Sequence, residues 1–113
     1  MRRIAYIAGL LTKHDIVVLV CAVSPFREAR DQARQHIRRF IEVFVDAPLH
    51  VCEERDPNGL YRRFRAGQIN HVAGVDDPYE KPEDPEVHCH TDRETVAQSA
   101  ANVVDLAMRY ILR

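Results

Sequence analysis

The chain has 113 residues, 46% hydrophobic and 29% charged, a balance typical of one folded domain and not of a disordered or fibrous protein. Its 16 basic and 17 acidic side chains give a net charge of -1, so no overall field favours nucleic acid or an anionic membrane. The longest apolar run, residues 16–23, is much shorter than the roughly 20 residues that span a bilayer. We therefore predict a cytoplasmic protein that binds neither nucleic acid nor membrane. The odd number of widely spaced cysteines indicates reduced thiols in a core and not a disulfide framework.

The first 40 residues contain helix and strand signals in turn. Apolar residues at helical spacing predict a short helix over residues 4–11. Residues 16–23 are continuously apolar and rich in β-branched side chains, which predicts a strand covered on both faces in a parallel sheet. Ser24-Pro25 ends this strand, and a charged helix is expected over residues 26–39. The arginines of that helix fall along one side, as an ordinary solvated face also would: Arg27, Arg30, Arg34 and Arg38.

The central part of the chain predicts a second strand followed by helices. Residues 40–46 are a buried-strand candidate, and Asp46-Ala47-Pro48 leads into a helix that ends at Arg55. After turn residues, a short basic helix is expected over residues 60–67. Residues 70–85 contain three prolines and five acidic side chains, which indicates a functional loop or lid and not a core element.

The last part of the chain predicts one short strand and one long helix. Residues 87–90 are an edge-like strand, and Thr91 or Asp92 is the expected cap of a helix over residues 95–112. Alternating strands and helices favour an α/β layered fold with a largely parallel sheet. Ligands of such sheets bind beyond the carboxyl ends of strands, where Ser24 and Asp46 lie, although both are also ordinary strand-end turn residues.

Several runs of this sequence occur together in a distinctive order: Val23-Ser24-Pro25-Phe26-Arg27, Phe40 to Leu49, Cys52 to Tyr61 and Gly74 to Glu80. In this order and at near-family spacing, these runs resemble the later two-thirds of adenylyl-sulfate kinase. The resemblance implies an α/β, three-layer P-loop-kinase-like parallel sheet, truncated at the N-terminus, with residues 1–113 as a single partial domain and a lid at about 58–80.

The resemblance also implies an activity: transfer of the ATP γ-phosphoryl group to the 3'-hydroxyl of adenosine 5'-phosphosulfate (APS), with ATP and Mg²⁺. It implies that Val23 and Ser24 line the substrate pocket, Ser24 being a phosphoserine position in this family. A serine needs a neighbouring base to act as a nucleophile, and none is adjacent in sequence, so we expect a binding role. Arg55 resembles the arginine that lies against the adenine. The remaining lid and nucleotide positions, which an ordinary basic surface helix would also explain, are Gly59, Leu60, Tyr61, Arg62, Arg65 and Gly74.

The sequence departs from the family pattern in ways that predict impaired activity for this chain alone. The phosphate-binding pattern G-x-x-x-x-G-K-[ST] and the family's Asp-Gly-Asp run are not among these 113 residues. Within the lid, the family's Ile-Lys-x-Phe-Thr-Gly is replaced by residues 69–74, Ile-Asn-His-Val-Ala-Gly, and Asn58 stands where lysine is usual. An alternative function is a non-catalytic nucleotide-binding or assembly module.

Two further expectations concern partners and metals. In the implied architecture, the strand of the phosphate loop lies between residues 16–23 and 40–46, so we expect self-association or a partner chain to complete the sheet. Residues His88-Cys89-His90, with Asp92, offer metal-ligand types. However, alternation along a strand puts Cys89 on the opposite face from the two histidines, so we expect no metal site from this run.

Overall fold

The computed structural model describes residues 1–112, which form five helices and two strands. The chain folds as two compact units, of which the first is Met1–Phe40 and the second begins at Ile41. In chain order the elements are α1 (Arg2–Thr12), α2 (Arg27–His36), β1 (Val43–Asp46), α3 (Leu49–Arg55), α4 (Leu60–Arg65), β2 (Val87–His90) and α5 (Val96–Ile111). The α/β class with a parallel sheet is therefore confirmed.

The first unit is built from α1 and α2, which pack against each other. Both helices were predicted from the sequence. Their buried side chains are mostly small, with Ala8 on α1 and Ala33 on α2, and Ile37 lies buried just beyond the end of α2. Small side chains allow helix backbones to approach closely, so this packing agrees with the apolar spacing of residues 4–11.

The predicted strand at residues 16–23 is wrong in the described structure. The segment forms no ladder with any described strand, and its apolar side chains face solvent: Leu19 is 79% exposed and Val23 is 65% exposed. A strand requires a neighbouring backbone to pair its N–H and C=O groups, which an apolar run alone does not supply. Cys21 of this segment is also exposed, contrary to the expectation of core thiols, whereas Cys52 is half-buried and Cys89 is buried.

The second unit contains a two-stranded parallel sheet made of β1 and β2. The paired residues run from Val43 opposite Val87 to Asp46 opposite His90. Alternation puts the buried side chains of Val87 and Cys89 on one face of β2, and α5 packs against this strand, with the Cys89 thiol 3.8 Å from the Ser99 carbonyl oxygen. The opposite face carries the alternate side chains of each strand.

Helix α5 begins with a reciprocal capping box. The Thr95 hydroxyl accepts a hydrogen bond from the Gln98 N–H at 3.1 Å, and the Gln98 side chain accepts one from the Thr95 N–H at 2.8 Å. The predicted caps Thr91 and Asp92 are therefore wrong, because Thr91 extends the sheet instead: its N–H and hydroxyl both donate to the Asp46 carbonyl oxygen. Among residues 1–112, no helix combines the length and apolarity needed to cross a membrane.

Candidate functional site

Ser24 and Val23, the expected substrate-pocket residues, lie in the first unit just before α2. Ser24 has a φ of +45°, in the left-handed region, and its carbonyl oxygen accepts a hydrogen bond from the buried Arg30 guanidinium. The Ser24 hydroxyl donates to the Met1 sulfur at 3.2 Å. A thioether does not accept a proton at neutral pH, so this contact does not activate Ser24 as a nucleophile.

Arg55, the expected adenine contact, lies in the second unit at the end of α3. Its guanidinium donates to the carbonyl oxygen of Thr91 at 2.9 Å and lies 3.4 Å from the Thr91 hydroxyl. Thr91 follows directly after β2, so Arg55 is held at the carboxyl end of the sheet. Arg55 is exposed, and its hydrogen bonds to Thr91 fix one edge of the planar guanidinium group. The flat face of this group is therefore available for an aromatic ring to stack on it.

The start of α4 is organised by Asp56, a residue that the sequence analysis had classed only as turn chemistry. Its two carboxylate oxygens accept hydrogen bonds from the N–H groups of Tyr61 and Arg62, each at 3.1 Å. Desolvation raises the pKa of Asp56, but hydrogen bonds from the N–H groups of Arg62, Tyr61 and Leu60 outweigh it, so the pKa lies below its usual value. Gly59 has a φ of +66°, a conformation that glycine adopts without strain. The predicted lid residues 59–62 therefore share one capped helix start.

Side chains of α4 contact α3. The Arg65 guanidinium forms an ion pair with the Glu53 carboxylate. Partial burial, followed by the nearby Cys52, Asp56 and Glu53, raises the pKa of the Tyr61 hydroxyl. Arg65 and Tyr61 thus help to join the two helices, whereas Arg62 and Leu60 lie exposed at the start of α4.

Gly74, the last predicted lid residue, lies in a tight loop at residues 71–77. The Asp76 carboxylate accepts hydrogen bonds from the N–H of His71 at 2.9 Å and from the N–H of Val72 at 2.6 Å. The first of these is the main cause of a lowered Asp76 pKa. The Gly74 N–H donates to the Asp77 carbonyl oxygen at 2.8 Å, and Gly74 has a φ of +83°. This part of the lid is therefore ordered by its own hydrogen bonds.

Two side chains of this loop have contrasting environments. Val72 is only 3% exposed, and its carbonyl oxygen accepts hydrogen bonds from the N–H groups of Val75 and Asp77. His71 is exposed, and its Nδ1 lies 3.1 Å from an Asp77 carboxylate oxygen. That hydrogen bond, and then the charge of Asp77, raise the pKa of His71.

A second cluster lies on one face of the sheet at its carboxyl end. His88 Nε2 is 2.8 Å from Asp46 Oδ2, and the ring centroids of His88 and His90 are 4.0 Å apart. The sequence correctly placed Cys89 on the opposite face from the two histidines. The sequence analysis considered Asp92 as an additional metal ligand beside His88 and His90. In the structure, the carboxylate that lies beside the two histidines is that of Asp46 on the neighbouring strand.

Three residues that organise these regions were not singled out as functional from the sequence. Asp56 and Asp76 accept hydrogen bonds from backbone N–H groups, and the Thr91 carbonyl oxygen accepts one from Arg55. The turn signals around Asp56 and the acidic content of residues 70–85 were visible, but which N–H groups they bind depends on the folded backbone.

Comparison with known proteins identifies the family. Residues 1–90 match the family described as Adenylylsulphate kinase. The adenylyl-sulfate kinase of Microcystis aeruginosa is 55% identical over 91% of this chain and 57% of its own length, and that of Synechococcus sp. strain JA-3-3Ab is 55% identical over 96% and 60%. The chain thus spans about 60% of the length of these relatives.

A solved structure supports the same assignment. The APS kinase CysC of Mycobacterium tuberculosis, in complex with AMPPNP and APS, is similar with a TM-score of 0.84 and 43% sequence identity. The similarity covers 95% of this chain and 64% of that chain. The mixed helix and strand arrangement with a parallel sheet therefore matches the fold of that kinase. On the sequence match and the structural similarity together, this chain belongs to the adenylylsulphate kinase family.

Proposed function

We propose that this chain is an adenylyl-sulfate kinase-type protein, related to the enzyme that converts ATP and APS to ADP and 3'-phosphoadenosine 5'-phosphosulfate in sulfate assimilation. The observation that carries the proposal is the family match over residues 1–90. The similar kinase of M. tuberculosis was solved with AMPPNP, an ATP analogue, and APS. The proposal places the protein in the cytoplasm, where ATP is available.

The proposed roles follow from the positions of the side chains. Arg55, oriented by Thr91, would lie against the adenine ring of ATP through its planar guanidinium. The exposed Arg62 at the start of α4 would supply positive charge to the phosphates, and Val23 and Ser24 would contact APS. Mg²⁺ neutralises the transferring phosphates in such enzymes, and we assign it no ligand from these residues.

We further propose that activity is impaired in this chain alone. Val72 stands at the aromatic position of the family's lid pattern, and its side chain is only 3% exposed. Asn70, an uncharged side chain, stands at the lysine position of the same pattern. These two side chains therefore do not supply the cation and the stacking ring that the family pattern offers to a nucleotide. The phosphate-cradling pattern is also not among the 113 residues.

The test is calorimetric titration of the purified chain with APS, and with ATP plus Mg²⁺, accompanied by a coupled assay of ADP release. We expect binding of APS without turnover. Arg55→Gln should weaken ATP binding, whereas Arg109→Gln on α5 removes an equal charge and should leave it unchanged. Turnover by the chain alone, with contaminating kinase excluded, would refute the impairment. The absence of binding of either nucleotide would refute the proposed site.

The exposed segment at residues 16–23 favours a second candidate function, a non-catalytic assembly module. Its apolar side chains, including Leu19, lie in solvent, and the described structure gives the segment no ladder partner. Unpaired backbone next to apolar side chains is a template for pairing with another chain. We propose that a second copy of this chain, or the corresponding part of a complete kinase, pairs with this segment.

Light scattering after size exclusion tests this association. We expect a mass above that of one chain, falling toward a monomer in Leu19→Gln. Val96→Gln is the matched control, because Val96 is 89% exposed on α5, outside the proposed surface. A monomeric unsubstituted chain across the accessible concentration range would contradict the proposal, and equal effects of the two substitutions would show that the segment is not the contact.

A further inference from the structure

We propose that Asp46, His88 and His90 form a binding site for a divalent transition-metal ion of the Zn²⁺ class. One ligand atom of each side chain lies within 4.8 Å of the others. His88 Nε2 and Asp46 Oδ2 are 2.8 Å apart, and the two imidazole centroids are 4.0 Å apart. The inference does not depend on kinase activity, since none of these residues has a role in the proposed function.

The backbone brings the three residues together without further adjustment. Asp46 lies opposite His90 in the parallel sheet, and His88 precedes His90 by two positions, so alternation puts all three on one face. The Asp46 carbonyl oxygen accepts hydrogen bonds from the N–H of Thr91 at 2.9 Å and from its hydroxyl at 3.2 Å. These hydrogen bonds fix the carboxyl ends of β1 and β2, which carry the proposed ligands Asp46 and His90.

Packing also restricts one of the rings. The Phe44 ring stacks on His88 with centroids 4.7 Å apart, and Phe44 itself is 6% exposed. A ring held against a buried aromatic side chain has fewer rotamers available, so less conformational entropy is lost when a metal ion orders it. His88 and Asp46 remain partly exposed, which gives an ion access from solvent.

The ligand set determines the kind of ion. Two imidazole nitrogens and one carboxylate oxygen suit Zn²⁺, Co²⁺, Ni²⁺ and Cu²⁺, whereas Mg²⁺ and Ca²⁺ prefer oxygen ligands throughout. Three protein ligands leave a fourth position of a tetrahedral ion for water. The site resembles open, three-ligand zinc sites in this respect and not the closed four-ligand sites of structural zinc.

The positive charge of Arg93 opposes metal binding at this site, so a substitution of Arg93 tests the proposal. The Arg93 guanidinium lies 2.9 Å from His90 Nδ1. Its hydrogen bond occupies a nitrogen lone pair, and its charge repels a divalent ion. The Glu94 carboxylate, which accepts a hydrogen bond from the His90 N–H at 2.7 Å, partly offsets that charge. Asp46 and His88 also form an ordinary hydrogen-bonded pair when no metal is bound. The experiment must therefore distinguish a metal site from a hydrogen bond that serves no metal.

The experiment uses the full 113-residue chain, purified without a histidine tag and with the thiols reduced, titrated with Zn²⁺ alone by calorimetry and with Co²⁺ alone by visible absorption. We expect one ion per chain and Co²⁺ ligand-field bands in the visible region. His90→Gln and Asp46→Asn should each lower the affinity by more than about 100-fold, beyond the effect of losing an outer hydrogen bond. Arg93→Gln should raise it about fivefold.

Two substitutions serve as controls. His50→Gln removes an exposed histidine on α3, and Cys21→Ser removes the exposed thiol, so neither should change the one-to-one binding. Circular dichroism of each variant confirms that the chain still folds. Zn²⁺ binding that is equal in His90→Gln, Asp46→Asn and the controls would overturn the proposal, as would the absence of Zn²⁺ binding in the unsubstituted chain. An affinity in Arg93→Gln that is no higher than in the unsubstituted chain would show that Arg93 does not oppose the ion at His90, and would also overturn the proposal.

Discussion

Val72→Ala should open the loop at residues 71–77 selectively. The Val72 side chain is 3% exposed, so the substitution removes two buried methyl groups. At about 0.8 kcal/mol for each, with a further term for the cavity that remains, the loop should lose about 2 kcal/mol of stability. Val75 offers a matched control in the same loop, since it is 37% exposed and Val75→Ala should cost about 1 kcal/mol or less.

Native-state hydrogen exchange measures this difference residue by residue. The N–H groups of Gly74 and Asp77 donate to carbonyl oxygens within the loop, and that of Thr91 donates to Asp46 in the sheet. Val72→Ala should speed exchange at Gly74 and Asp77 by about 30-fold and leave Thr91 unchanged, because local opening is cheaper than global unfolding. Equal rates in the Val72 and Val75 variants, or an equal acceleration at Thr91, would refute the claim that Val72 anchors the loop.

The other predictions concern side-chain hydrogen bonds. Thr95→Ala should lower the free energy of unfolding of α5 by about 1 kcal/mol, while Thr95→Ser keeps the cap; thermal denaturation followed by far-ultraviolet circular dichroism distinguishes them. Because Asp77 raises the pKa of His71, this pair stabilises the loop fully below the ordinary histidine pKa of about 6.5 and less as pH rises through the raised value. Exchange at Gly74, corrected for intrinsic rate, should accelerate over that range, and a flat profile would contradict it. Asp56→Ala should fray the start of α4, seen as lost amide protection at Tyr61 and Arg62.

The helices were predictable because their signals are local. Apolar spacing gave α1 and α5, and the turn residues before α3 and α4 marked where each begins. The strand predicted at residues 16–23 was wrong because an apolar run becomes a strand only when another backbone pairs with it. Likewise, the cap of α5 shifted from Thr91 to Thr95 because Thr91 is used by the sheet.

For the site residues, too, the sequence identified what depends on neighbouring residues and missed what depends on residues far away in the chain. Arg55 and the lid positions followed from a family pattern carried by contiguous residues. The partner of Arg55 was not predictable, because Thr91 comes from a strand end 36 positions later. The juxtaposition of Asp46 with His88 also depends on the register of β1 with β2, which alternation within one strand does not give.

Pairing of β1 with β2 closes a loop of about 40 residues that includes α3, α4 and the acidic segment. Closure entropy grows only with the logarithm of length, so doubling this connection would cost the sheet about 0.6 kcal/mol. Contacts distant in sequence form slowly, so this strand pair should be a late step in folding. A reporter or an extra binding segment inserted into this connection should therefore leave the sheet register intact, provided that the contacts of Tyr79 with Phe44 and of Glu86 with the Glu42 N–H are kept.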